Sequence, residues 1–187
     1  YSLDKRDYRQ NPRKGYILNL KAGGGSRDLA NSEAGVEIQD NAILEAGFSG
    51  AFFIPLFKRW ALKLWNNSSG IQAQGLYKNE LYRVGGINSM RGYDEKALLA
   101  SSYVFSGMEL RYLFEENASV YVFSDIGWLE ESTINTYEQF LPLSVGIGTF
   151  FRTGLGRFSL NFALGKNPES GWSWNASKIH LSYSNAF

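Results

Sequence analysis

The chain has 187 residues, the size of one domain. Its 19 basic and 18 acidic residues leave a net charge of +1, so it lacks the electrostatic footprint of a nucleic-acid binder. No run approaches the roughly 20 apolar residues of a spanning helix, and the absence of cysteine removes disulfides and thiolate metal sites.

What remains is a chain that is 16% aromatic, holds 20 glycines and has a slightly negative mean hydropathy. That mixture suits a membrane β-barrel, whose strands need only about 9–11 residues with every second one apolar. No leader sequence is evident, and the chain reads as a mature form that starts after cleavage.

Residues 1–13 read as a periplasmic N-terminal arm and 14–187 as the barrel. Period-two alternation then marks eight strands. In 15–24, Tyr16, Leu18 and Leu20 oppose Asn19 and Lys21. In 45–56, Phe48, Phe52, Ile54 and Leu56 oppose Glu45, Gly47, Ser49 and Ala51, with Phe53 breaking the pattern. In 59–65, a strand that can run on towards Ile71, Trp60, Leu62 and Leu64 oppose Arg59 and Lys63. In 102–114, Val104, Met108, Leu110, Tyr112 and Phe114 oppose Phe105, Gly107, Glu109 and Arg111. In 118–128, Val120, Val122, Ile126 and Trp128 oppose Tyr121, Phe123, Asp125 and Gly127. In 141–152, Leu143, Val145, Ile147 and Phe151 oppose Ser144, Gly146, Gly148 and Arg152. In 157–166, Phe158, Leu160, Phe162 and Leu164 oppose Ser159, Asn161 and Gly165. The last strand sets Ile179, Leu181, Tyr183 and Phe187 against Lys178, His180, Ser182 and Ser184.

Connection lengths give an independent test. Short links at 56–58, 115–117 and 153–156 alternate with long ones at 25–44, 66–97, 130–140 and 167–177. Transmembrane barrels have short periplasmic turns and longer extracellular loops. The expectation is therefore an all-β, eight-stranded antiparallel transmembrane β-barrel in contact with outer-membrane lipid, with both termini periplasmic. The competing reading is a water-soluble barrel of the lipocalin kind, apolar inside. Aromatics near strand ends (Tyr16, Trp60, Tyr112, Phe114, Trp128, Phe151, Phe187) resemble interfacial girdles and favour the membrane.

The extracellular loop 66–97 carries Gly85-Gly86-Ile87-Asn88-Ser89-Met90-Arg91-Gly92-Tyr93. Arg91 among glycines could bind phosphate, could lie in an ordinary surface turn, or could fold back to meet the inward carboxylates Glu109 and Asp125. The sole histidine, His180, shares a face with Ser182, an arrangement that plain interior lining also produces. With one histidine and no cysteine, no metal site is expected, and nothing calls for a cofactor.

The run GGINSMRGY resembles the signature loop of the BamA/TamA-type outer-membrane assembly and translocation barrels. The resemblance extends to the lead-in Asn11-Pro12-Arg13-Lys14-Gly15-Tyr16, to Gly107-Met108-Glu109-Leu110-Arg111, to Phe123-Ser124-Asp125-Ile126-Gly127, to Gly146-Ile147-Gly148 and to the terminal Phe187. It covers nearly the whole chain from Asn11 onward, in the pattern of the family's C-terminal eight strands and without POTRA domains. Asn185 departs from it, standing where an aromatic is common.

By that resemblance Arg91, flanked by Gly92 and Tyr93 and framed by Gly85 and Gly86, would pair with Asp125 and Glu109 and lock the loop inside the barrel. Tyr183 and Phe187 would form a C-terminal strand signal. The resemblance implies a Gram-negative outer-membrane protein that helps client outer-membrane proteins to insert or cross; the residues themselves, with no carboxylate evidently placed to orient His180, lead to the expectation that it is not an enzyme. Its partner would be a second copy, meeting at a weak seam between first and last strands, or a separate periplasmic protein. The rival is a structural or partner-binding barrel without transport activity; a lipid-modifying enzyme using His180 is the remote third. An eight-stranded barrel is only wide enough for side chains, so Arg91 is expected high in a plugged interior with no open channel.

Overall fold

A computed structural model of the chain describes residues 1–26, 42–167 and 171–185. In chain order the strands are β1 (Ser2–Asp4), β2 (Gly15–Ser26), β3 (Ala42–Pro55), β4 (Trp60–Ala73), β5 (Tyr82–Val84), β6 (Leu98–Ala100) and β7 (Ser102–Glu115). They continue with β8 (Ala118–Ser132), β9 (Tyr137–Phe140), β10 (Leu143–Thr153), β11 (Gly156–Asn167), β12 (Gly171–Trp172) and β13 (Lys178–Ser184). A single 3-10 turn, Trp174–Ala176, is the helical content of the described residues.

The expectation of eight strands is corrected to thirteen. Eight are long, and they occupy the segments that alternation marks. The additional five, β1, β5, β6, β9 and β12, have two to four residues and lie in the N-terminal arm or the long connections. So short a strand carries no readable period; it exists because its backbone groups find partners on a neighbour. The same cause carries β4 to Ala73 through the polar run Asn66-Asn67-Ser68-Ser69-Gly70, which is paired with β3 on one side and β7 on the other.

All pairings are antiparallel, and the main sheet runs β1-β2-β3-β4-β7-β8-β10-β11, with β13 also on β11. The expected closed barrel is corrected too: no pairing joins β13 to β2 among the described residues. On that flank β1 occupies the β2 edge instead, with Ser2, Leu3 and Asp4 opposite Asn19, Leu18 and Ile17. The sheet nevertheless curls strongly. A cavity of about 430 Å³ on its concave side is lined from all eight long strands, from Ile17 of β2 round to Ser182 of β13.

The faces of that sheet are inverted relative to a water-soluble barrel. Along β8, Tyr121, Phe123 and Asp125 are buried, whereas Val120, Val122 and Ile126 point outward and are 44–57% exposed. Leu20, Phe48, Phe52, Met108, Ile147, Leu160 and Leu181 extend this apolar convex surface around the sheet. A contiguous apolar belt of this kind marks a surface meant for lipid or for another protein.

The concave face holds the core. Met90 from the long loop packs with Val84, Ala100, Tyr103, Phe105 and Leu129, and a second cluster joins Tyr121, Phe123 and Ala163. Phe53, which breaks the alternation of β3, turns inward, with the Arg111 guanidinium 5.8 Å from its ring centroid. On the convex side, close ring pairs Tyr16–Phe52, Trp60–Tyr112, Phe151–Phe158 and Phe158–Tyr183 form an aromatic band near the short turns. Phe187, and most of the connection expected over 25–44, lie outside the described residues.

Candidate functional site: a loop arginine held in the concave interior

The loop that bears Arg91 is closed at its base by β5 and β6, which pair Tyr82 with Ala100 and Val84 with Leu98. Within it Gly85 and Gly86 adopt φ of +113° and +87°, a region that favours glycine. The Gly85 N–H donates to the Ser89 hydroxyl at 2.8 Å, and the Gly86 N–H donates to the Met90 carbonyl at 3.0 Å. A Cβ on Gly86 would collide with the Glu95 carboxylate, which accepts a bond from the Ile87 N–H at 3.3 Å. Met90, fully buried, anchors this compact turn in the core, and the next residue projects across the interior.

Strand register prepares the place where Arg91 arrives. One row across the sheet reads Trp65, Gly107, Asp125, Ser144, Gly165, and the adjacent row reads Phe53, Lys63, Glu109, Phe123, Gly146. The glycines empty space beside the charged groups: a Cβ on Gly107 would overlap the Asp125 carboxylate and the Trp65 indole.

Into this space Arg91 donates from Nε and Nη2 to the two Asp125 oxygens, each at 2.7 Å, a forked pair. Its Nη1 donates to Glu109 Oε1 at 2.8 Å, and Lys63 Nζ donates to the same oxygen at 2.9 Å. Arg111 Nε lies 3.8 Å from the other Glu109 oxygen. The guanidinium carbon of Arg91 sits 3.7 Å from the Phe123 ring centroid, so one face of the cation is covered by π-electrons. Arg91, Glu109 and Asp125 are each 5% exposed or less. Such a cluster is stable only as a set, because removing one member strands buried charge on the others.

The residues after Arg91 fasten the loop to the far wall. The Gly92 N–H donates to His180 Nε2 at 3.1 Å. The Tyr93 hydroxyl donates to the Lys166 carbonyl at 2.8 Å and accepts from the Leu143 N–H at 3.2 Å, and its ring meets Phe140 edge-on at 5.8 Å. The structure thus brings Arg91, Gly92, Tyr93, Glu109 and Asp125 together, with Gly85 and Gly86 shaping the turn behind them. Tyr183 stands apart, near the short turns, and donates to the Leu155 carbonyl at 2.6 Å. His180 and Ser182 share a face of β13 without a hydrogen bond between them among the described residues, and the His180 Nε2 is already engaged by the loop.

Sequence reasoning missed two features. Lys63 was readable as an inward charge, but its convergence with Arg91 on one Glu109 oxygen depends on three-strand register. The N-terminal segment also stops the opposite mouth of the sheet. Asn11 Oδ1 accepts from Arg111 Nη2 at 2.6 Å and from the Ser119 hydroxyl at 3.2 Å, and the Pro12 carbonyl accepts from Arg111 Nη1 at 3.1 Å. Asn11 is 2% exposed. The only signal available for it was its position in the lead-in motif.

A family model, the Omp85 superfamily domain, matches residues 1–187, the whole chain. The chain belongs to the Omp85 superfamily. This agrees with the resemblance of the GGINSMRGY loop and its accompanying motifs to BamA/TamA-type proteins of the superfamily. No curated protein matches the chain.

Proposed function

We propose that the chain forms an outer-membrane β-barrel wall that assists the insertion or translocation of other outer-membrane proteins, without enzymatic chemistry of its own. Its superfamily is one of outer-membrane protein assembly and translocation. The observation that carries the reading is the Arg91–Asp125–Glu109 cluster, which ties the long loop into the interior of a sheet whose outside is apolar. A locked loop obstructs the concave side, so clients would be handled at the lipid-facing surface or at the flank where β13 and β2 are not joined and β1 lies along β2, rather than through a central channel. That same flank supports edge-to-edge association of two copies, with a separate periplasmic protein as the other candidate partner. The location proposed is the outer membrane of a Gram-negative bacterium, with Arg91, Gly92 and Tyr93 as the lock and Tyr183 and Phe187 as the strand signal.

Depletion of the protein in its host, followed by a quantitative census of outer-membrane proteins, tests this. A fall in folded barrels, restored by the wild-type chain but not by Arg91→Ala, is the expected result. An unchanged census would favour the second reading, a structural or partner-binding barrel. What favours that alternative is the obstruction of the interior at both ends, by Arg91 from one side and by Asn11 and Pro12 from the other.

A further inference from the structure

The interior cavity between the loop tip and the N-terminal segment carries far more positive than negative charge. Six cationic side chains line its roughly 430 Å³, Arg6, Arg9, Lys63, Arg91, Arg111 and Arg157, against Glu109 as the lining carboxylate. Asp125 lies under Arg91, and Asp4 pairs with Arg6 at 2.8 Å and with Arg9 at 3.8 Å. The Arg9 side chain is largely exposed; without it, five cations against three carboxylates leave two positive charges over in a confined space, where uncompensated charge is costly.

Two guanidinium groups also have donors to spare. Arg111 is 6% exposed; its buried Nε has no hydrogen-bond partner among the described residues and meets only the Glu109 carboxylate at 3.8 Å, and the buried Nε of Arg157 has no hydrogen-bond partner either. Arg157 shares the concave face of β11 with Ser159 and Asn161, and Ser182 stands opposite Ser159 on β13. Forked cationic donors beside hydroxyl and amide groups match the oxygens of a phosphate group.

We propose that this cavity binds a phosphate-bearing anion, centred on Arg157 and Arg111. The proposal is independent of the assembly role. The anion neutralises the excess charge and ties β7 to β11 beneath the N-terminal segment. The shared chemistry is a phosphate monoanion or dianion, supplied either as free phosphate or as the headgroup of an anionic phospholipid.

The test uses the whole chain folded in a neutral maltoside detergent and in lipid nanodiscs. In detergent, inorganic phosphate is titrated at constant ionic strength against chloride, with thermal unfolding and phosphorus NMR line width as readouts. In nanodiscs, phosphatidylglycerol is compared with phosphatidylcholine. Saturable stabilisation is expected, weakened about tenfold or more in Arg157→Gln through loss of one charge-assisted contact, and unaltered in Arg83→Gln, whose exposed cation lies on β5 in the long loop. A response to inorganic phosphate identifies the free anion, and a response confined to phosphatidylglycerol identifies the lipid. Absence of saturable binding by the wild-type chain in both arms overturns the proposal, as does an equal loss in Arg83→Gln, which would mean general charge screening. The phosphorus line width of the wild-type titration decides the matter even if Arg157→Gln fails to fold.

Discussion

The backbone of Gly92, beside the loop arginine, rests directly on that of Gly165 in β11: a Cβ added to Gly92 would sit 2.8 Å from the Gly165 nitrogen. In the opposite direction, a Cβ on Gly165 would overlap the Gly92 carbonyl oxygen, so neither side can yield by a rotamer change. The loop reaches its interior position because both residues lack a side chain.

Gly165→Ala is therefore expected to lift the loop from β11 and to destabilise the fold by about 1–3 kcal/mol, the usual range for overpacking. Gly154→Ala, where nothing lies within 4 Å of the added carbon, serves as the control. Urea unfolding in detergent measures both, and equal midpoints for the two variants would refute the contact.

Arg91→Ala leaves the carboxylates of Asp125 and Glu109 buried with less compensation. Removal of one partner from a buried charge cluster costs about 3–5 kcal/mol. Arg91→Lys is expected to recover only part of this, because an ammonium cannot reproduce the forked contact with both Asp125 oxygens. Protease cleavage within the loop should rise in the same order, wild type below Lys below Ala.

Asn11→Ala removes the acceptor of the 2.6 Å bond from Arg111 and leaves a buried guanidinium short of a partner. A loss of about 1–3 kcal/mol is expected, together with faster tryptic cleavage among Arg6, Arg9 and Arg13. Asn11→Asp keeps an oxygen in place and should protect the segment. Identical digestion rates for all three proteins would show that the N-terminal stopper is not held by Asn11.

Val122→Arg tests which solvent the convex face meets. Val122 is 52% exposed in the middle of β8, between Leu110 and Ile147. At a bilayer midplane the arginine costs about 2–4 kcal/mol, whereas on a water-facing surface the change would be within about 0.5 kcal/mol. Folding yield into phospholipid vesicles, read by heat-dependent gel mobility, distinguishes the two cases.

Much of the wall was legible beforehand. Alternation in segments such as 118–128 and 157–166 assigned each side chain to a face, and β8 and β11 carry those faces as expected. The inward carboxylates Glu109 and Asp125 and the loop arginine were likewise visible as charges in the wrong setting for lipid. Less legible was Phe53, an apparent fault in β3 that turns out to be interior packing beneath Arg111. The short strands and the N-terminal stopper left no periodic trace at all.

The division follows from the range of the forces involved. Side-chain alternation is a local consequence of the pleat, repeated every two residues, so the sequence alone determined which face meets the apolar surroundings and which turns inward. Register between strands and the return of a loop or terminus into the interior depend on contacts between residues far apart in the chain. Only the tertiary structure could decide that Lys63 and Arg91 share one oxygen of Glu109, that Asn11 reaches Arg111, and that β1 rather than β13 lies along β2.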